Sequence, residues 1–163
     1  MGRAEMIILV AAIAILGRYS LTVNDALANN EIHVIQSEYE LNAVAIAETY
    51  FKQAWVKAYD ENVVDGIPAD IPQDFTSKEH LGEDSGESYP DYDDIDDFDE
   101  FSVTDTAENG MVYEVEIEVG YISVDDKVDI SNQRSTLKRM NVTISSDYLR
   151  NDITLSRIFP YWK

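Results

Sequence analysis

Apolar positions change their spacing three times along this chain, and each change predicts a different element. Met6-Ile-Ile-Leu-Val-Ala-Ala-Ile-Ala-Ile-Leu16 is one unbroken apolar run of eleven residues. As a helix at ~1.5 Å per residue it extends about 17 Å, short of the ~20 residues a spanning helix commonly uses. Beyond Gly17 and Arg18 the run thins, with Tyr19, Leu21, Val23, Ala26 and Leu27 set among polar residues. A tilted span over about Met1 to Val23, with Arg18 reaching to the interface, fits this pattern. A secretory signal fits it too, with Arg3 as a weak positive flank and Asp25-Ala-Leu-Ala28 as the nearest cleavage site. From Ile32 onward the spacing becomes three or four: Ile32, Ile35, Tyr39, Ala43, Ile46, Tyr50, Ala54. Leu41, Val44, Phe51, Trp55 and Ala58 form an adjoining stripe. No Pro or Gly interrupts this stretch. It predicts one helix from near the amino terminus to about Tyr59, roughly 85 Å long, ended by Asp65-Gly-Ile-Pro68. The stripe is expected to cover a small head, with Glu38, Glu40, Glu48, Lys52 and Lys57 facing outward.

Residues 66–109 carry no regular period and read as a long loop, an uncommon feature that is usually functional or disordered. At Met111 the period becomes two. Tyr113, Val115, Ile117, Val119 and Tyr121 alternate with Glu114, Glu116 and Glu118, which predicts a half-buried strand. Met140, Val142 and Ile144 predict a second strand and Ile153–Ile158 a third. Arg139 is expected to relieve repulsion in the glutamate row across the sheet. The reading is α+β: a long amino-terminal helix on a small antiparallel sheet. Residues 1–30 form an apolar helix serving as membrane anchor or filament core. Residues 31–163 form a head, with helix continuing over 31–62, an acidic loop over 66–109 and a sheet over 111–163.

Charge narrows the partners. The net charge of −20 opposes binding to nucleic acid. Between Glu79 and Asp126 there is no Lys or Arg, whereas Lys127, Arg134, Lys138, Arg139, Arg150, Arg157 and Lys163 follow. An acidic middle and a basic tail can pair within one subunit or head-to-tail between subunits. Cysteine is absent, so a loop exposed outside a cell needs a clamp other than a disulfide.

Two constellations carry candidate chemistry. Glu5 stands at the mouth of the apolar run, where a carboxylate is costly unless a cation meets it. Its own segment offers Arg3 and the α-amino group of Met1, and the same amine on a neighbouring copy would make Glu5 an assembly device. Asp91, Asp93, Asp94, Asp96, Asp97 and Asp99 crowd one short stretch with Tyr92, Ile95, Phe98 and Phe101. Closely spaced hard oxygens suit calcium, which takes six to eight such ligands, although the EF-hand glycine and spacing are missing. The bland alternative is a solvated, self-repelling loop. His33 and His80 lie far apart, and no nucleophilic triad or glycine-rich phosphate loop is present. An enzyme is therefore not expected. Asn141-Val-Thr143 matches the glycosylation pattern inside an expected strand.

Glu5 followed by Met6 to Leu16, a long helix, a loop and then an antiparallel sheet resembles the type IV pilin and pseudopilin family. The later stretches Asp93 to Phe101, Val112 to Val119, Leu137 to Ile144 and Asp152 to Ser156 contribute to the resemblance. It implies a subunit whose leader is removed, which waits in the inner membrane and then stacks by its apolar helix into a filament. By that resemblance Glu5 pairs with a neighbour's Met1 amine, and Met1 is the mature, methylated end. The assembly surface would comprise Met1, Glu5, Met6, Ile7, Ile8, Leu9, Val10, Ile13 and Leu16. Some pseudopilins hold a loop with calcium where others use a disulfide. The chain departs from the family in its early Arg18, in lacking a kinking Pro and in lacking a carboxy-terminal cysteine pair. The expected function is a structural subunit of an extracellular helical filament. The alternatives are a membrane-anchored, calcium-dependent binding module and a pseudopilin of a secretion system.

Overall fold

A computed structural model describes residues 2–66, 68–107, 110–123 and 129–162. Its long helix, α1, runs Arg3–Trp55. The chain divides into two compact units, residues 1–39 and 40–163. The first is helical throughout its described length from Arg3. The second is α+β.

In the second unit an antiparallel sheet supplies the frame. Its strands are β1 (Ser102–Thr106), β2 (Val112–Ile122), β3 (Ile130–Ser131), β4 (Leu137–Ser145) and β5 (Ile153–Pro160). The order is β1-β2-β4-β5, with β3 also paired to β2. The period-two pattern sets which face is covered: Tyr113, Val115, Ile117, Val119 and Tyr121 of β2 are buried, as are Met140, Val142 and Ile144 of β4. Register places Ile117 opposite Val142 and Val119 opposite Met140. The last turns of α1 bury Ala43, Ile46, Ala47, Tyr50, Phe51 and Ala54 in the same cluster. Small residues at 43, 47 and 54 bring the helix backbone close, and Tyr50 and Phe51 fill the space on either side. Each fully buried large side chain contributes about 1.5–3 kcal/mol before entropy is counted.

Several expectations are corrected here. The helix stops at Trp55 rather than Tyr59. Lys57 N–H bonds to the Ala54 carbonyl at 3.2 Å, a tightened last turn, and Ala58 then exchanges backbone bonds with Asp93 and Ile95 at 2.9 and 3.1 Å. Partners outside the helix thus replace its next turn. Helix resumes only as α2 (Glu61–Val64), where the Asp60 side chain accepts from Asn62 N–H. Among the described residues of the expected 66–109 loop are short 3-10 turns at Lys78–His80 and Asp96–Phe98, ahead of β1. Strand β1 escaped notice because Val103 is its one large apolar residue.

Outward assignments change as well. Glu48 receives both 2.8 and 3.0 Å hydrogen bonds from Arg157, whose guanidinium also lies 4.7 Å from the Phe51 ring centre. Lys57 donates to the Tyr92 carbonyl. Leu41 and Trp55, placed in the covering stripe, are largely exposed. Arg139 is in register with Gly120, on the face that carries the glutamates, so no glutamate stands directly opposite it. Asn141 takes that place, donating to Glu118 at 3.0 Å and accepting from Ser156 at 2.7 Å.

Gly120 is required by a close approach. A Cβ there would stand 2.4 Å from Ile130 Cγ2, a branched atom near its own backbone that cannot swing away. Gly120→Ala is expected to destabilise the fold by about 1–3 kcal/mol through overpacking. Denaturant unfolding monitored by circular dichroism checks this, and an unchanged midpoint would refute the contact.

Candidate functional site

Three arrangements in the molecule carry chemistry, and the two units hold them separately. In the first unit, Glu5 lies in the first turn of α1. Its Oε2 accepts the Gly2 N–H at 2.9 Å, the reach-back of a glutamate three positions into a helix. Gly2 is the residue this pairs, and it satisfies one of the several acceptor sites of a carboxylate. Met1, the expected source of the partner amine, lies outside the described residues. Met6, Ile7, Ile8, Leu9, Val10, Ile13 and Leu16 are all exposed by more than half their area. By length and composition this part of α1 is able to cross a membrane.

The second arrangement is acidic. The structure brings together only two of the six expected metal-ligating aspartates. Asp93 and Asp97 join Glu87, which the sequence reading passed over, with one oxygen from each all mutually within 4.8 Å. Asp97 Oδ2 accepts the N–H groups of Asp93 and Asp94 at 3.0 and 3.2 Å, which folds the loop around it. Glu87 Oε2 and Asp93 Oδ1 are buried without a hydrogen-bond donor among the described residues. Burial, and then the charge of Asp97, push the Glu87 carboxyl up to about 7. Glu61 is raised by burial, Asp84 and Asp93, while Asp84 is raised by burial, Asp97 and Asp93. The result is a patch of like charges that a hard divalent cation would neutralise, with Glu87, Asp93 and Asp97 as its nearest ligands.

The other four aspartates have different duties. Asp91 is exposed. Asp99 Oδ1 accepts the Val119 N–H at 2.7 Å and ties the loop to β2. Glu100 beside it sits in the left-handed region at φ 58°, reversing the chain so that Phe101 reaches the aromatic contacts of Tyr50 and Tyr89. Asp94 Oδ1 accepts the N–H groups of Asp96 and Asp97 at 2.6 and 3.1 Å. Asp96 turns inward.

The inward side holds the third arrangement, around Lys138. This lysine lies on the covered face of β4, fully buried. Its ammonium donates to the Tyr59 carbonyl at 2.7 Å, to Asp60 Oδ2 at 2.9 Å and to Asp96 Oδ1. It lies 4.5 Å from the centre of the Tyr59 ring and 5.0 Å from that of Tyr121. Asp60 is satisfied further by Thr76 N–H at 3.0 Å, Asn62 N–H at 3.2 Å and the Tyr121 hydroxyl at 2.8 Å. Burial alone would raise its carboxyl, but Lys138 and these donors outweigh it and hold it below the usual 3.8. Asp94 is pushed up to about 9, by burial first and then by Asp96. Asp96 is pushed up to about 7 by burial, against the opposing pull of Lys138. Burial likewise raises the Tyr59 and Tyr121 hydroxyls.

Sequence reasoning missed Lys138 because it counted the residue among the basic tail. Position 138 does keep the parity of 140, 142 and 144, and a cation on an apolar face is the signal that was available. Comparison with protein-family models, with curated proteins and with solved structures gives no match. The amino-terminal apolar helix and antiparallel sheet are compatible with a pilin-like fold.

Carboxyls whose pKa is raised by folding stabilise the fold fully below their unfolded values, and that contribution is lost as pH rises through the folded ones. For Glu87 the window runs from 4.5 to about 7. Asp60 acts oppositely but only below about 3.8, outside this window. Metal-free protein is therefore expected to melt at lower temperature at pH 7.5 than at pH 5. Calcium is expected to reverse the loss at pH 7.5, and Glu87→Gln to blunt both effects. A melting temperature flat across this range would refute the reading of the patch.

Proposed function

We propose that this chain is a structural subunit of a pilin-like helical filament, assembled through its amino-terminal helices and displayed outside the cell after a stage in the inner membrane. The observation that carries this reading is the apolar surface of α1 from Met6 to Leu27, where Leu9, Ile13, Leu16, Leu21 and Leu27 all remain exposed. A surface of that kind on a soluble monomer marks an interface or a membrane segment. Stacked copies would remove it from water or lipid along the whole filament, at roughly 25 cal/mol per Å² before the costs of association. A lone carboxylate at the edge of this surface sets the register, because each Glu5 entering the apolar bundle requires a cation, and the first amine of the next copy arrives at the same depth. The self is then the partner, and no catalytic group is required.

The acidic patch supports a second reading: a membrane-anchored module whose head binds a partner in a calcium-dependent way. The two readings differ in what the native material looks like, helical rods for the first and discrete particles for the second. A pseudopilin of a secretion system is the variant of the first reading in which the rods stay short and periplasmic.

Glu5→Lys is expected to cut filament yield about tenfold or more, since a buried uncompensated charge costs several kcal/mol. Glu5→Ala should be milder. The head should fold alike in all three full-length proteins, read by near-ultraviolet circular dichroism in detergent. Electron microscopy of sheared surface material reads the yield, and normal rods from Glu5→Lys would end the pairing argument.

A further inference from the structure

We propose that Lys138 and Asp96 become joined by an intramolecular isopeptide bond, making the head a covalently clamped domain. Three features of the interior point there. The nucleophile and the electrophile are already in contact: Lys138 Nζ lies against Asp96 Oδ1, with the lysine fully buried and the aspartate 3 % exposed. Contact at this range, held without freedom to diffuse, is the situation in which effective concentrations become very large. Both partners are also fixed from behind. The Asp96 N–H is held by Asp94 Oδ1 at 2.6 Å, and its carbonyl receives Gly82 and Asp99 N–H groups at 3.0 and 2.8 Å. Lys138 is fixed by β4, between Tyr121 of β2 and Phe159 of β5 in register. Finally, the two carboxylates beside the ammonium are unequal. Asp60 collects donors from Thr76, Asn62 and Tyr121, so it is settled as an anion. Asp96 Oδ2 is buried with no donor among the described residues, so Asp96 is the poorly satisfied carboxyl and the better electrophile.

The step balances without any added reagent. Asp60 Oδ2, 2.9 Å from Nζ, is the anion placed to take a proton as the nitrogen attacks Cγ of Asp96. An N–Cγ bond forms, a Cγ–O bond breaks, and the departing oxygen leaves as water with the protons the nitrogen gave up. Asp60 ends as it began, and nothing is oxidised or reduced. The Tyr59 and Tyr121 rings, 4.5 and 5.0 Å from Nζ, wall the site against returning water. The bond would close a sequence separation of 42 residues. It would tie the acidic loop to the interior strand β4 in a chain that has no cysteine to do so.

Intact-mass measurement of the denatured, full-length protein is the test. The wild-type mass should fall short of the sequence mass by one water, and proteolysis should yield a branched peptide joining Lys138 to Asp96. Lys138→Arg should restore the full mass. Asp96→Asn should expel ammonia instead and converge on the same cross-linked mass as wild type. A wild-type chain at its full sequence mass, with the Lys138 amine open to acylation after denaturation, overturns the proposal, and so does a branch at Asp60. The wild-type measurement decides even if a variant fails to fold.

Discussion

The second unit is organised by a cation that has no access to water. Lys138 sits on the covered face of a strand and draws in three chain segments: the turn after α1 through Tyr59 and Asp60, the acidic loop through Asp96, and the sheet that carries it. Removing one partner from such a group leaves an uncompensated buried charge, commonly a loss of about 3–5 kcal/mol. An apolar triad of similar volume could fill the space equally well, but it would not specify which segments meet. The ionic group does, because Asp60 and Asp96 supply the carboxylates that answer Lys138. Tyr121 and Thr76 then donate to Asp60 in turn.

This division of labour explains the acidic loop. A run of aspartates with no nearby basic residue in sequence ought to repel itself into disorder. Instead its members separate by environment. Asp96 goes inward to the lysine, Asp94 and Asp97 accept backbone N–H groups within the loop, and Asp99 fastens the loop to β2. The intervening Tyr92, Ile95, Phe98 and Phe101 supply apolar anchorage, with Tyr92, Phe98 and Phe101 in mutual ring contact. Glu87 Oε2 and Asp93 Oδ1 remain without a donor among the described residues, and with Asp97 beside them like charges accumulate at one edge. Under the calcium-dependent reading, that edge is where a divalent cation would be held.

Under the filament reading the two units have opposite requirements. The head must be stable alone, and it achieves this with a closed apolar cluster and internal charge pairing. The amino-terminal segment exposes its apolar side chains from Met6 to Leu27, a surface whose removal from water is favourable. Assembly is then driven by one unit and tolerated by the other. A head clamped between its acidic loop and β4 would resist the pulling forces that a filament transmits along its length.

By itself the sequence determined the element types: the eleven-residue apolar run, the three-and-four spacing through Ala54 and the strict alternation from Tyr113 to Tyr121 each force one secondary structure. It also settled the α+β class and marked Glu5 as an oddity, because period and transfer cost are local properties. The helix end at Trp55, strand β1, the inward turn of Asp96 and the role of Lys138 were decided only by tertiary structure. Each depends on a partner outside its own element, Ala58 on Asp93 and Ile95, β1 on β2, Lys138 on Asp60 and Asp96. Periodicity reports which face a side chain takes, whereas charge pairing in the interior depends on which faces are brought together, and that is a property of the packed chain.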